Sequence, residues 1–126
     1  MAETPLSIWP CRPTSDPRTV IEIYPALVAR AALNQPYKRA GDDTEAGAAA
    51  GWFSDWLVSA ACRDRYGHRV VIPLAMQSQA LADPQGDYLD ALLAALQTAW
   101  ASMQPRLGVP EDCDALEGWI IDPSAE

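Results

Sequence analysis

The hydrophobic and polar positions along the chain predict one strong strand, at residues 19–24. Every residue of this segment except Glu22 is β-branched or aromatic, which is the composition that strands favour. Alternation places Val20, Glu22 and Tyr24 on one face of the strand and the two isoleucines on the other. Because apolar side chains occur on both faces, the pattern predicts a strand covered on both sides, as in the interior of an α/β sheet.

The residues before this strand predict an extended arm. Positions 1–18 contain four prolines, and each proline lacks an N–H donor and biases the preceding residue away from helix. Within the arm, the segment 6–10 alternates apolar and polar side chains, which predicts a short edge strand.

Helix signals begin directly after the strong strand. Pro25 suits the first position of a helix, where a missing N–H costs no intrahelical hydrogen bond, and good helix formers continue to Leu33. After a polar loop at 37–43, Thr44 is a capping residue type for an amphipathic helix of about five turns that ends at Tyr66-Gly67. The apolar positions of this helix recur at three- and four-residue steps: Ala48, Trp52, Phe53, Trp56, Leu57, Ala60 and Ala61.

The last part of the chain predicts two more helices and a closing strand. A short helix follows Pro73, whereas residues 69–72 fit either a strand or a loop. A turn at 83–86 precedes a strong helix from Asp87 to Met103, and residues 116–123 predict a short apolar strand. On a helical wheel, the strong helix carries a core stripe made of Leu89, Leu92, Leu93, Leu96, Trp100 and Met103.

The composition is typical of one globular domain. The chain has 126 residues, of which 49% are hydrophobic and 21% are charged, and these values fit a domain with its own core. We therefore expect a single helix-rich α/β domain over residues 1–126, with a small sheet around residues 19–24 and flanking helices. Its parts are the arm at 1–18 and a strand-helix-helix-helix-strand unit at 19–123.

Charge and cysteine content restrict the partners and the compartment. A net charge of −8 gives no long-range attraction to nucleic acid or to anionic membranes. Three cysteines, Cys11, Cys62 and Cys113, show no metal-ligand spacing, and their odd number favours free thiols in a reducing compartment. Neither a signal peptide nor the ~20-residue apolar run of a membrane helix occurs. The expected location is the cytoplasm, with no membrane partner.

Glu22 is the first candidate for chemistry, because a carboxylate within an apolar strand is costly to bury without a partner. One interpretation is a metal ligand or general base near the carboxyl end of the strand, where open α/β sheets place their sites. The other is a structural role, in which Glu22 pairs with Arg18 or Arg69 or lies at a solvated edge. The sequence leaves both open.

Asp87 and Asp90 are the second candidates, since a spacing of three residues puts them on one side of the strong helix. Asp90 borders the apolar stripe, whereas Asp87 faces outward and is also placed to cap the helix. If they meet Glu22, the cluster of carboxylates suits Mg²⁺ or Mn²⁺, which prefer oxygen ligands. Lys38, in the polar loop, is a candidate phosphate contact or a solvated side chain.

Three fragments, in this order and spacing, resemble the carboxyl-terminal half of the domain-of-unknown-function family 429, DUF429, which is regarded as a family of predicted nucleases with a ribonuclease-H-like fold. The resemblance implies that Glu22 is the strand carboxylate of a metal-dependent site, and that Asp90 or Asp87 is the carboxylate from the last helix. The fragments are Ile8-Trp9-Pro10 leading into Val20–Pro25, then Asp87–Ala95, then Glu117–Ile120 with Pro123.

The resemblance also implies a missing part. Ribonuclease-H-like folds begin with a three-stranded meander whose first strand carries an essential aspartate, and nothing before Val20 supplies it. Two functions follow as hypotheses. The first is a Mg²⁺-dependent phosphodiesterase acting on nucleic acid, complete, degenerate or split. The second is a non-enzymatic interaction domain whose sheet is completed by a homodimer or a partner chain, and the acidic charge favours this second hypothesis.

Overall fold

The computed structural model describes residues 5–33 and 51–124. Within them the chain is a helix-rich α/β structure with a small parallel sheet, as the sequence predicts. The predicted loop at 37–43 and the cap at Thr44 lie outside the described residues. The described elements are β1 (Ser7–Trp9), β2 (Thr19–Ile21), α1 (Pro25–Leu33), α2 (residues 51–57), α3 (Ala60–Tyr66), α4 (Leu74–Ala82), α5 (Asp87–Ser102) and a 3₁₀ turn (Pro105–Gly108).

The sheet pairs β1 with β2 in parallel, with Ile8 opposite Val20. The proline-rich arm is therefore part of the fold. Its connection to β2 is shorter than the dozen or more residues usual between parallel strands. This connection turns back on β1, since Ile8 and Arg12 exchange both backbone hydrogen bonds, at 2.9 and 2.6 Å. The outer edge of β1 is thus occupied at Ile8 by the chain itself.

The predicted closing strand at 116–123 is reduced to one parallel bridge between Glu22 and Ile120. The Ile121 N–H donates to the Glu22 carbonyl oxygen at 2.9 Å. Gly118, just before the bridge, has a φ of 76°, a left-handed conformation that interrupts an extended strand. The bridge still adds the C-terminal segment to the sheet beside β2.

Within residues 5–33 and 51–124, the sheet is covered on one face only, so the predicted coverage of β2 on both sides is not found there. Ile21 packs against a cluster formed by Ala101, Val109 and Ile121. Register and alternation place a second set of side chains on the opposite face, and all of them are exposed. We call this surface the open face; it consists of Leu6, Ile8, Val20, Glu22, Tyr24 and Ile120.

The principal core forms around α5, which packs against α1, α3 and α4. Its predicted apolar stripe is confirmed at Leu89, Leu93 and Leu96, which are buried. The prediction is wrong for Met103, which is 65% exposed, because the helix ends at Ser102. The buried members of this core are Val28, Ala29, Phe53, Leu57, Cys62, Tyr66, Leu89, Leu93 and Leu96.

The amphipathic helix predicted to end at Tyr66 is divided in two. Ser59 has an extended backbone, and its hydroxyl accepts a hydrogen bond from the Cys62 N–H at 3.3 Å. Serine is a preferred capping residue because its side chain satisfies an N–H that has no partner within the helix. The helix α3 therefore starts afresh at Ala60, and it ends at Gly67 as predicted, where φ is 72°.

A strained turn joins the end of α5 to the sheet. Arg106 and Leu107 both have positive φ, 53° and 57°, a conformation that costs a non-glycine residue roughly 1–2 kcal/mol. The indole N–H of Trp9 donates to the Arg106 carbonyl oxygen at 2.9 Å, and the Arg106 guanidinium lies 5.4 Å from the centroid of the Trp9 ring. Contacts with β1 therefore hold the turn in this conformation.

An ion pair stabilises the short connection between the strands. Asp16 accepts hydrogen bonds from the Arg18 backbone N–H and guanidinium at 2.8–3.0 Å. The side-chain hydrogen bond from Arg18, followed by its backbone N–H, lowers the pKa of Asp16 to about 2. The favoured species is the carboxylate, so this stabilisation is present above pH ~4 and is lost as the pH falls through about 2.

We expect Asp16→Asn to lower stability at pH 7 and to have a much smaller effect at pH 2, where Asp16 is partly protonated. Thermal unfolding of both proteins from pH 7 to pH 2 measures the difference. Asp64, which pairs with its exposed neighbour Arg63 at 3.2 Å, provides the control, and Asp64→Asn should leave stability unchanged at each pH. A loss from Asp16→Asn that is as large at pH 2 as at pH 7 would contradict the assigned role of the ion pair.

Candidate functional site

Glu22 lies at the carboxyl end of β2, where the open face meets the C-terminal segment. Its backbone pairs with the segment at Ile120, and its side chain is exposed between Val20 and Tyr24 on the same face. Among the described residues no cation or hydrogen-bond donor contacts its carboxylate. Pairing of Glu22 with Arg18 or Arg69 therefore has no support among the described residues, since Arg18 pairs with Asp16. The exposed carboxylate fits the other structural interpretation, a solvated position at the edge.

Gly118 shapes the surroundings of the Glu22 carboxylate. A Cβ placed on Gly118 would lie 3.7 Å from Glu22 Oε2 and 3.3 Å from Cys11 Sγ. Both groups therefore lie within 4 Å of the position that a Cβ at residue 118 would occupy. A side chain at position 118 would fill the space between them, and its backbone would be strained at φ 76°.

An acidic cleft of about 510 Å³ opens beside Gly118. Its lining is Pro110, Asp112, Cys113, Asp114, Glu117, Gly118 and Trp119. The Cys113 thiol contacts the Gly118 carbonyl oxygen at 3.4 Å. Burial raises the pKa of Cys113, and the nearby Asp114 and Cys11 raise it further. The cleft therefore holds a protonated thiol among carboxylates, a setting that attracts cations and repels phosphates.

The open face presents exposed apolar side chains near Glu22. Val20 is 47% exposed and Tyr24 44% exposed, and Leu6, Ile8 and Ile120 are exposed to a similar extent. At one margin, the Arg30 guanidinium lies 6.0 Å from the centroid of the Tyr24 ring. Five exposed apolar side chains on the same face as one carboxylate form a surface of the kind that marks interaction sites.

The two aspartates predicted to join Glu22 lie on the first turn of α5. Asp87 is exposed and Asp90 is partly buried. The sheet packs near the opposite end of this helix, at Ala101. Asp90 and Ala101 are separated by ~16 Å at the helical rise of 1.5 Å per residue. Lys38, the predicted phosphate contact, lies outside the described residues.

Metal binding was the chemistry expected of these carboxylates. In residues 5–33 and 51–124, no three histidine, cysteine, aspartate or glutamate side chains form a group that could hold a metal ion. This holds for the trio Glu22, Asp87 and Asp90 as well. A site for Mg²⁺ or Mn²⁺ formed by Glu22 and Asp90 stays a prediction, and it would need ligands beyond the arrangement described.

A buried polar network centred on Asp122 is the part of the molecule that the sequence did not reveal. Asp122 is 3% exposed, and its Oδ2 accepts hydrogen bonds from the Tyr66 hydroxyl at 3.0 Å and the Gln97 side-chain amide at 2.8 Å. Its Oδ1 accepts from the backbone and hydroxyl of Ser124. Burial, together with the charge of Asp122, raises the pKa of Tyr66, so this phenol remains a donor.

The network has a structural rather than a chemical character. It joins α3, α5 and the C-terminal segment at one point that solvent does not reach. Asp122 follows the apolar pair Ile120-Ile121, so the same signal that drew attention to Glu22, a carboxylate next to an apolar run, also occurs at Asp122. By fixing Asp122, the helices hold the segment that pairs with Glu22.

Two of the three fragments that carry the resemblance meet in the small sheet: Ile8-Trp9-Pro10 with the strand leading to Glu22, and Gly118–Ile120. The third, Asp87–Ala95, forms the first half of α5, whereas the sheet packs near the other end of that helix. No helix in the described part of the chain is long and apolar enough to cross a membrane. Comparisons of the chain with protein-family models, with curated proteins and with solved structures found no match.

Proposed function

We propose that this chain is a protein-interaction domain that binds another protein through the open face. The observation that supports the proposal is the exposure of five apolar side chains on one side of a sheet whose other side is packed. Sheets in α/β domains ordinarily carry cover on both faces. An uncovered face retains apolar area that would be removed from water when a partner covers it.

The structure alters how we expect the sheet to be completed. The outer edge of β1 is occupied by Arg12 through two backbone hydrogen bonds at Ile8, so addition of a strand at that edge would have to displace them. The open face needs no such displacement. The proposal is therefore docking onto a face, with apolar contact as its main driving force, rather than addition of a strand at the β1 edge.

A peptide-display selection against the intact chain tests this proposal, because a random library samples many partner sequences at once. We expect recovered peptides to bind the wild-type chain and to bind Val20→Asp at least about tenfold more weakly, because a carboxylate within an apolar contact loses its hydration. Val71→Asp is the matched control, since Val71 is 81% exposed in the loop after α3. Affinities are measured by isothermal titration calorimetry.

Two results of the selection would count against the proposal. One is peptides that bind wild type and Val20→Asp equally, which would place the docking surface elsewhere. The other is a selection that yields no peptide above background. Unfolding of Val20→Asp by denaturant should give a free energy close to that of wild type, since Val20 makes no core contact, and this excludes misfolding as the cause of lost binding.

A second candidate function is the metal-dependent phosphodiesterase implied by the resemblance to DUF429. The observation that favours it is the position of Glu22, exposed at the carboxyl end of a parallel strand and beside the Gly118 segment. In this proposal Glu22 and Asp90 hold Mg²⁺ or Mn²⁺, Asp87 assists and Lys38 contacts phosphate. A two-metal site also needs a shared ligand, which in ribonuclease-H-like folds is the aspartate of the first strand, and in this proposal a partner chain supplies it.

The nuclease proposal predicts Mn²⁺ binding that depends on Glu22. Calorimetric titration of the wild-type chain with Mn²⁺ should give a saturable site that is lost in Glu22→Gln and kept in Glu111→Gln, which removes an exposed glutamate elsewhere. Cleavage of nucleic acid with the same dependence would indicate an active enzyme. Binding without cleavage would indicate a degenerate site, and no Mn²⁺ binding would end this proposal.

A further inference from the structure

The charge of the open face restricts which partner it accepts. Glu22 is flanked along its strand by Val20 and Tyr24, and across the bridge by Ile120. Apolar side chains of the open face therefore border its carboxylate along the strand and across the bridge. Any protein that covers the surface must remove this charge from water, which is costly unless the partner supplies a cation or hydrogen-bond donors.

A second copy of the chain is poorly suited to this requirement. Pairing of two open faces about a two-fold axis brings the same patch of each copy together. Two Glu22 carboxylates near that axis would repel each other as water is excluded. The net charge of −8 per chain adds a longer-range repulsion between copies. A charge within an apolar surface is also a known device against self-association of sheets.

We propose, on the basis of the interaction function proposed above, that Glu22 prevents the open face from pairing with a second copy and selects a protein partner carrying a lysine or arginine within an apolar surface. The gap left by Gly118 keeps the carboxylate accessible, because no side chain at position 118 covers it. The partner's cation would meet Glu22 while its apolar side chains cover Val20, Tyr24 and Ile120.

Replacing Glu22 by lysine tests the proposal. The Glu22→Lys chain presents a basic open face and therefore stands in for the basic partner when it is mixed with the wild-type chain. Wild type alone and Glu22→Lys alone should sediment as monomers, since each pairing sets like charges together. An equimolar mixture should form a heterodimer whose dissociation constant is at least about tenfold lower than that of either homodimer. Its affinity should fall as salt is added, because salt screens the charge pair.

The control is Glu111→Lys, which makes the same change of net charge at an exposed glutamate outside the open face. Its mixture with wild type should remain monomeric. Adding Val20→Asp to one member of the Glu22→Lys pair should abolish the heterodimer, which locates the contact on the open face. Sedimentation velocity at protein concentrations up to about 100 µM, where weak association becomes measurable, provides the readout.

Three results would overturn the inference. A wild-type dimer at micromolar concentration would show that Glu22 does not prevent self-pairing, although the open face could still be an interaction surface. If the mixture of wild type and Glu22→Lys associates no more tightly than either protein alone, the charge of Glu22 does not control pairing of the open face. Association of the Glu111→Lys mixture would assign the effect to net charge. The peptide selection with Val20→Asp judges the interaction function separately, so failures of the two proposals can be told apart.

Discussion

Asp122→Ala is expected to lower the free energy of unfolding by about 3 kcal/mol. Asp122 is the shared acceptor for the Tyr66 hydroxyl and the Gln97 amide, both in a closed core. Removing it leaves two buried donors without a partner, and each such donor costs roughly 1–3 kcal/mol. The C-terminal segment also loses its hydrogen bonds to Ser124.

Urea unfolding of matched variants measures this effect. Asp114→Ala is the control, because Asp114 is an exposed aspartate of the loop after the 3₁₀ turn. We expect this substitution to change the free energy of unfolding by less than about 0.5 kcal/mol. Tyr66→Phe should cost less than Asp122→Ala, since Asp122 would keep its other donors. Equal stability of Asp122→Ala and Asp114→Ala would contradict the buried network.

Leu93→Ala should destabilise the chain by about 3 kcal/mol as well, through the loss of buried methyl groups and the cavity left behind. Leu93 is fully buried at the centre of the stripe by which α5 packs against the other helices. Leu116→Ala makes the same chemical change at a side chain that is 95% exposed, and we expect it to change stability by less than about 0.5 kcal/mol.

The pair of leucine variants tests the position of the core directly. The same urea titrations give the free energies of unfolding of both variants. Similar slopes of this free energy against urea concentration would show that both variants expose the same amount of surface on unfolding. The contradicting result is a loss at Leu116 that equals the loss at Leu93. It would mean that the C-terminal loop is covered and that the core extends further than the structure describes.

The helices of this chain follow from local sequence. Pro25 begins α1 and a helix begins after Pro73, as predicted, because proline tolerates the first position of a helix. The strong helix α5 has a stripe of leucines at the helical period, which is a strong local signal for an amphipathic helix. The division at Ser59 was missed, since a serine within an apolar period can equally lie on the surface of a continuous helix.

The alternation of side chains along β2 could not show whether one face of the sheet is covered or both. Val20 and Tyr24 on one face and Ile21 on the other are equally apolar, so the sequence predicted cover on both sides. Which face receives α5 depends on how the C-terminal segment pairs with Glu22, a contact between residues almost one hundred positions apart. The bridge at Ile120 and the network at Asp122 are tertiary features of this kind.

The candidate site was predicted in part. Glu22 was identified from its position in an apolar strand, and the structure places it exposed on the open face. The association of Glu22 with Gly118 and Cys11 was not predicted, because these residues come from distant segments. The proposed meeting of Glu22 with Asp90 depends on the family resemblance, and it stays a prediction whose test is Mn²⁺ binding.

The central claim, that one face of the sheet is open in the isolated chain, is tested most directly by the accessibility of neighbouring isoleucine methyl groups. Ile120 is 38% exposed on the open face, and Ile121 is fully buried on the packed face. A soluble gadolinium chelate should broaden the methyl resonances of Ile120, Ile8 and Val20 strongly and that of Ile121 weakly. Similar protection of Ile120 and Ile121 in the monomeric chain would contradict the account.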